Sequence, residues 1–339
     1  MAKGRLCLIA LTLCAAPVTA APVAITTAYP APRPAAASVQ KALEAQILSL
    51  EKQIHGRIGV AFRLLETGES AAVNEARYPM ASTYKVAIAG TVLAKIDRGE
   101  ASLDQMITVT QRDVDETGEV ANRLIHPGVS LSVANLMELM LTQSNNTATD
   151  KMIALAGGPA AVTAWLKSIG VTGVRVDRSV NDLLDSFFKV PEGAPFTKVM
   201  QDRGLSDEAV DAMSMAPNPG FDADPRDTAV PSAMVDLLAR ELTTPLLKES
   251  SRVFLTGVME RCETGADRLK GMLPAGTVIA HKTGTIARIL NDVGMITLPE
   301  GRGHLLIAVY TKESDLPEPK REHAIAEIAR SAFDYFTMR

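Results

Sequence analysis

Ser82-Thr83-Tyr84-Lys85 puts a hydroxyl and an amine three positions apart at the head of the most apolar helical stretch in the chain. At i and i+3 the two side chains share a helix face, one turn apart. A serine at a helix N-terminus also meets the positive end of the dipole, which favours developing negative charge. Desolvation in an apolar helix disfavours the ammonium form of Lys85. A neutral lysine can then accept the serine proton, so the pair reads as an activated nucleophile. By itself S-x-x-K is weak, since about one match is expected by chance in a chain of this length. The competing reading is a helix cap beside a surface lysine, and the apolar surroundings of Lys85 argue against it. Two further elements follow in the chain. Ser144-Asn145-Asn146 lies between two helical patterns, and Lys282-Thr283-Gly284-Thr285 ends a strand pattern.

These elements must be positioned by a scaffold, and hydrophobic periodicity outlines it. Val39, Leu43, Ile47, Leu50 and Ile54 form one helical stripe. Residues 57–65 read as a strand, turned at Thr67-Gly68 into a second strand. Residues 84–96 are apolar almost all round, which predicts a helix at the centre of the protein. Further helices are predicted over 131–141 and 147–156, and from Pro159 to Gly170. The last third changes period. Residues 277–281, 292–298 and 304–311 read as antiparallel strands. A final helix carries Ile325, Ile328, Ala332 and Phe336 on one face. The simplest arrangement pairs first and last strands in one sheet flanked by first and last helices, with the helical middle as a separate lobe. A site between two lobes is a common place for a pocket.

Composition bounds the function. The 339 residues carry 35 Lys plus Arg and 39 Asp plus Glu, a formal charge of −4 that argues against nucleic-acid binding. Hydrophobic residues at 47% and charged residues at 22% describe a folding chain, with few aromatics (4%), so the core is mainly aliphatic. Residues 1–20 read as a secretory signal: Lys3 and Arg5, then an apolar run too short to span a bilayer, which needs roughly 20 residues. Residues 21–37 read as an Ala/Pro-rich tether. A membrane anchor is the alternative for the first segment. Export would place the protein outside the cytoplasm, secreted or periplasmic, with Cys262 as its one remaining cysteine. It reads as an ordinary helix residue. The five histidines lack metal-ligand spacing, and no dinucleotide or Walker loop is present, so neither a metal nor a cofactor is expected.

The three polar elements, in this order, match the S-x-x-K, S-x-N and K-T-G set of the penicillin-recognising serine enzymes. From about Ser38 to the C-terminus the sequence resembles class A β-lactamases. The likeness includes Met80-Ala81-Ser82-Thr83-Tyr84-Lys85, Ser144-Asn145-Asn146-Thr147-Ala148, Gly157-Gly158-Pro159, Arg226-Asp227-Thr228 and His281-Lys282-Thr283-Gly284-Thr285. It implies a three-layer α/β/α sandwich with an antiparallel five-stranded sheet, from residues 38–80 and 230–339, and an all-α lobe from 81–229. It implies that Ser82 forms an acyl-enzyme, that Lys85 accepts its proton, and that Ser144 protonates the leaving nitrogen. Lys282 would hold Ser144 and attract the substrate carboxylate, which Thr283 and Thr285 would hydrogen-bond. The backbone N–H groups of Ser82 and Thr285 would form the oxyanion hole, and Asn146 would bind the acyl amide. Arg178 and Asp227 would close a loop as an ion pair. The implied ligand is a small β-lactam or a peptidoglycan stem peptide, and the implied state is a monomer without a stable membrane span.

The likeness breaks on that loop. The family's water-activating Glu and its Asn partner fall, counting from Arg178, on Val180 and Leu184. The stretch up to Arg226 is much longer than the family's loop, with an insertion at 185–225, a short helix predicted over 206–215 and a Phe187-Phe188 pair that could cover the site. Asp182, Asp185 and Glu192 are the carboxylates that could replace the Glu. Asn291 stands nearest by count to the family's carboxylate-binding Arg, with Arg288 three residues earlier. Three readings follow: a β-lactamase with slow or altered deacylation; a D-Ala-D-Ala peptidase on the same scaffold; or a non-catalytic peptidoglycan or β-lactam binder.

Overall fold

The computed structural model describes residues 29–110, 113 and 128–338. The expected signal at 1–20 and the first part of the tether lie outside these residues. In chain order the elements are β1 (Arg33–Pro34), α1 (Ala37–Ile54), β2 (Arg57–Leu64), β3 (Glu69–Val73), β4 (Tyr78–Pro79), a 3-10 turn Ala81–Tyr84, and α2 (Lys85–Asp97). Then come β5 (Met106–Val109), β6 (Val129–Ser132), α3 (Val133–Thr142), α4 (Asn146–Ala156), α5 (Pro159–Ser168), α6 (Val180–Phe188), α7 (Phe196–Asp202), α8 (Asp207–Ser214) and α9 (Pro219–Asp222). The chain closes with β7 (Thr228–Ala229), α10 (Pro231–Leu242), α11 (Glu249–Glu260), β8 (Ile279–Ile286), β9 (Ile289–Thr297), β10 (His304–Lys312) and α12 (Glu318–Thr337).

The main sheet runs β1-β3-β2-β10-β9-β8. Its five long strands are antiparallel, as expected. A sixth, β1, pairs parallel to β3 at Arg33 and Pro34, so the end of the Ala/Pro-rich segment is an edge strand and not all tether. Proline suits that place because an edge strand has ladder positions that need no donor. β2 and β10 pair along their length, which joins the start of the chain to its end.

Both faces of this sheet are covered, and the strands read accordingly as nearly continuous apolar runs. On β10, Leu305, Ile307 and Val309 pack with α1 and α12, while Leu306, Ala308 and Tyr310 pack with the helices that include α2. The stripe of α1 buries Leu43, Ile47, Leu50 and Ile54. Each such side chain contributes about 1.5–3 kcal/mol on burial. Helix α2 is buried at every position from Lys85 to Ala94, the centre that its all-round apolar pattern predicted.

The insertion is not an extended loop. It begins inside α6, which continues to Phe188, and its remainder forms α7, α8 and α9. Ser179 and Asp182 form a capping box at the head of α6, and Ser206 caps α8.

Candidate active site

Ser82 sits in the 3-10 turn that leads into α2, one step earlier than an α-helical start. Ala81 before it has φ +46°, a left-handed conformation rare for a residue with a Cβ. Such strain persists only where neighbours over-determine it. Here Asn291, fully buried on β9, donates from Nδ2 to Pro79 O (2.9 Å) and Met80 O (3.0 Å). Met80 N donates to Asp227 O at 2.9 Å. From the other side the backbone of β8 presses on the turn. A Cβ on Gly284 would lie 2.5 Å from Met80 O and 3.1 Å from Ser82 N. The glycine of K-T-G is thus what lets β8 touch the Ser82 turn and bring Thr285 beside it. K-T-G lies inside β8, not at its end.

Behind Ser82, the Lys85 side chain is fully buried. Its Nζ donates to Ser144 O, to Ser144 Oγ at 3.1 Å and to Asn146 Oδ1 at 3.1 Å. Ser144 has φ +60° in the turn between α3 and α4. Asn145 caps α4 by accepting from Ala148 N at 2.8 Å. This cap fixes the turn that aims Ser144 and Asn146 at Lys85. Lys282 is likewise fully buried and donates to Thr283 O at 3.0 Å.

These elements meet at a cleft of about 500 Å³ whose lining includes Ser82, Ser144, Asn146, Thr283 and Thr285. A residue that no motif flagged completes it. Arg268 is buried at the cleft wall and donates to Thr285 Oγ1 at 2.8 Å, while Glu318 (3.2 Å) and Glu322 (3.1 Å) of α12 pair with it. The residues nearest by count to a carboxylate-binding Arg lie elsewhere. Asn291 holds the Ser82 turn, and Arg288 donates to Asp315 O and to Leu316 O (3.2 Å). A lone arginine in an irregular segment carries no sequence signal. Only the tertiary fold shows which one faces the cleft.

The opposite wall is apolar. Val180, Leu183 and Leu184 of α6 line the cleft, so the count from Arg178 places 180 and 184 correctly on it. None of Asp182, Asp185 and Glu192 does. Asp182 is engaged in the capping box, accepting from Ser179 Oγ at 2.7 Å, and Glu192 is exposed. The carboxylate behind this wall is Asp150 on α4, one helical turn beyond Asn146. It accepts from Val180 N (2.7 Å) and Asn181 N (3.0 Å). Burial pushes its pKa up to about 6, opposed by those two N–H groups and by the charge of Lys85.

Arg178 and Asp227 meet at the foot of α6. Arg178 Nε donates to Asp227 Oδ2 at 2.6 Å, and the N–H groups of Asp177 (2.7 Å) and Arg178 (3.1 Å) donate to Asp227 Oδ1. The insertion packs outward from there. Phe187 meets Phe188 and Phe221 at centroid distances of 5.0 and 5.4 Å, and Phe188 meets Phe196 at 5.3 Å. The Phe187-Phe188 pair therefore serves the insertion's own core and does not line the cleft. The insertion also grips the β8–β9 turn. Ala287 and Arg288 have φ +51° and +64°, the two left-handed positions of a tight hairpin, and Ala287 N donates to Ser214 O at 2.7 Å.

Comparison with known proteins gives a consistent picture. A family model described as the β-lactamase enzyme family matches residues 41–336. Among solved structures, an ancestral class A β-lactamase reconstructed for Gram-negative bacteria is 32% identical, with a TM-score of 0.71, covering 86% of this chain and 99% of its own. A β-lactamase from Chitinophaga pinensis is 28% identical, with a TM-score of 0.72 and coverage of 87% and 99%. The TLA-3 extended-spectrum β-lactamase is 28% identical, with a TM-score of 0.71 and coverage of 88% and 99%.

Proposed function

The chain belongs to the β-lactamase enzyme family and functions as a serine hydrolase of β-lactams; from that premise we propose which residues do the chemistry and which step is slow. Ser82 Oγ attacks the lactam carbonyl, and Lys85 takes its proton. Ser144, already hydrogen-bonded to Lys85, passes a proton to the leaving nitrogen. The N–H groups of Ser82 and Thr285 receive the charge that develops on the carbonyl oxygen. Lys282, Thr283, Thr285 and Arg268 recognise the substrate carboxylate, and Asn146 the acyl amide. The observation that carries this assignment is the fully buried Lys85, one turn from Ser82 and bonded to both Ser144 and Asn146.

Hydrolysis of the acyl-enzyme needs an activated water, and the wall that faces Ser82 offers Val180, Leu183 and Leu184. We therefore assign deacylation as the slow step. The same apolar wall favours a second reading, a penicillin-binding D-Ala-D-Ala carboxypeptidase that acts on a peptidoglycan stem peptide and is trapped by β-lactams. We assign the site to a monomer exported by the signal at residues 1–20 to the periplasm or beyond. Among the described residues no helix is long and apolar enough to cross a membrane. Intact-mass measurement after mixing with a chromogenic cephalosporin tests the assignment. The expected result is a mass gain mapped to Ser82. An unmodified Ser82 in protein that hydrolyses the compound would overturn it.

A further inference from the structure

Arg268, assigned above to the substrate carboxylate, already has its hydrogen bonds filled by the protein. Its Nε donates to Glu322 Oε1 at 3.1 Å. Its Nη1 donates to two backbone carbonyls, Gly284 O at 3.3 Å and Asn291 O at 3.2 Å. Its Nη2 donates to Thr285 Oγ1 at 2.8 Å and to Glu318 Oε1 at 3.2 Å. A guanidinium offers five N–H donors and no acceptor. Five acceptors take all of them. A carboxylate arriving in the cleft must therefore replace one.

The five acceptors are not equally held. Gly284 and Asn291 face each other across β8 and β9, so their carbonyls belong to the sheet. The Glu322 side chain is only 15% exposed. Glu318 stands in the first turn of α12 with its side chain 41% exposed. An ion pair to so open a carboxylate is weak. Moved off Arg268, Glu318 stays at the helix N-terminus, where the positive end of the dipole suits its charge. Its donor, Nη2, is also the nitrogen that joins two cleft-lining side chains, Thr285 and Glu318. Glu318 thus takes the Arg268 donor beside Thr285 Oγ1, where the substrate carboxylate is to be recognised.

We propose that Glu318 is a specificity-determining residue: it stands in for the substrate carboxylate on Arg268 Nη2, and acylation requires the substrate to displace it. This rests on Arg268 as the partner of that carboxylate. Glu318 acts through Arg268 and touches no reacting atom, so it is not a catalytic residue. A β-lactam with a free carboxylate loses part of its binding to the exchange. One whose carboxylate is masked as an ester makes no such exchange. The device therefore lowers the preference for a free carboxylate.

The test measures the second-order rate of adduct formation on Ser82 by quenched intact-mass measurement. Benzylpenicillin and its methyl ester are compared, and the ratio of their rates is taken. Both compounds share the chemistry at Ser82, so the ratio isolates recognition of the carboxylate. In Glu318→Ala the expected ratio is about threefold to fivefold higher than in the unaltered protein, the scale of an exposed ion pair. Glu322→Ala removes the same charge from the same guanidinium, but at Nε, so its ratio should rise less. A flat or lower ratio in Glu318→Ala, or an equal rise in Glu322→Ala, would overturn the proposal. Arg268→Gln tests the underlying recognition separately and should lower the ratio. A ratio lowered in Arg268→Gln but flat in Glu318→Ala sinks the role of Glu318 alone. A ratio kept in Arg268→Gln sinks both. Should Glu322→Ala or Arg268→Gln not fold, Glu318→Ala decides, since it changes a part-exposed side chain.

Discussion

The cleft wall formed by β8 and the Ser82 turn presents hydroxyls in front of two buried lysines, whereas the facing wall on α6 presents Val180, Leu183 and Leu184. The first wall is over-determined. Asn291, Gly284 and the Asn145 cap each fix a strained turn, and every one belongs to an element packed in the core. The second wall is held from behind, by Asp150 on the backbone of Val180 and Asn181 and by the Arg178–Asp227 pair. The backbone scaffold that would place a water-activating side chain is therefore present, while the side chain is not. A fold can keep the position of a catalytic group and lose its chemistry, because backbone anchoring and side-chain identity are set by different residues.

The largest effects should come from breaking the polar wall. Lys85→Ala removes the positioned base, so the rate of adduct formation on Ser82 should fall on the order of 10²–10⁴. An unchanged rate by stopped-flow would show that another group takes the proton. The complementary change restores chemistry to the apolar wall. Val180→Glu should speed loss of the acyl adduct on the order of 10² or more if a carboxylate there can reach the water. Adduct lifetime by mass spectrometry reads this, and an unaltered lifetime would place the limitation elsewhere than at position 180.

Next comes the anchoring of the second wall. Asp227→Asn removes the nearer of Arg178's two counter-charges and leaves Asp224, at 3.2 Å, as the other, a loss of roughly 3 kcal/mol, the low end for breaking a buried pair. Urea unfolding should show it, and the preserved adduct on Ser82 would show that the two walls are separable. Equal loss of acylation would mean that they are not, which Met80 N on Asp227 O makes a sharp question.

The smallest expected effect lies away from both walls. Glu241 on α10 is fully buried, its two carboxyl oxygens are without hydrogen-bond partners, and burial raises its pKa well above the ordinary range. It packs against α2 at Gly90, where a Cβ would lie 2.0 Å from Glu241 Oε1. The fold retains the proton that the unfolded chain releases. Its stability is therefore greatest below the ordinary carboxyl pKa and falls as pH rises toward the raised value. Glu241→Leu should raise stability by about 1–3 kcal/mol and flatten this slope. Thermal unfolding at pH 5 and pH 8 measures both, and a destabilised variant would mean that the carboxyl has a role in the fold.

Sequence made the polar wall legible because its parts are local. Ser82 and Lys85 share one helix turn, Asn145 is a cap at its expected place, and Gly284 sits within a motif. The sheet was legible from periodicity for the same reason, down to the pairing of the first long strand with the last. Arg268 was not legible, since it reaches Thr285 from an irregular segment seventeen residues upstream. Nor was the role of Phe187 and Phe188. Aromatic residues near a missing group suggested a cover for the site, but the helices of the insertion use them as a core. The edge strand at Arg33–Pro34 was hidden by its composition, since proline argues for a tether unless the partner strand is known.

Slow deacylation behind an intact acylating wall is tested most directly by a stopped-flow trace of a chromogenic cephalosporin hydrolysed by purified protein in excess substrate. The expected trace is a burst of one equivalent per Ser82, followed by a much slower steady phase whose rate equals the decay of the Ser82 adduct. A steady phase as fast as the burst, with no accumulating adduct, would contradict it.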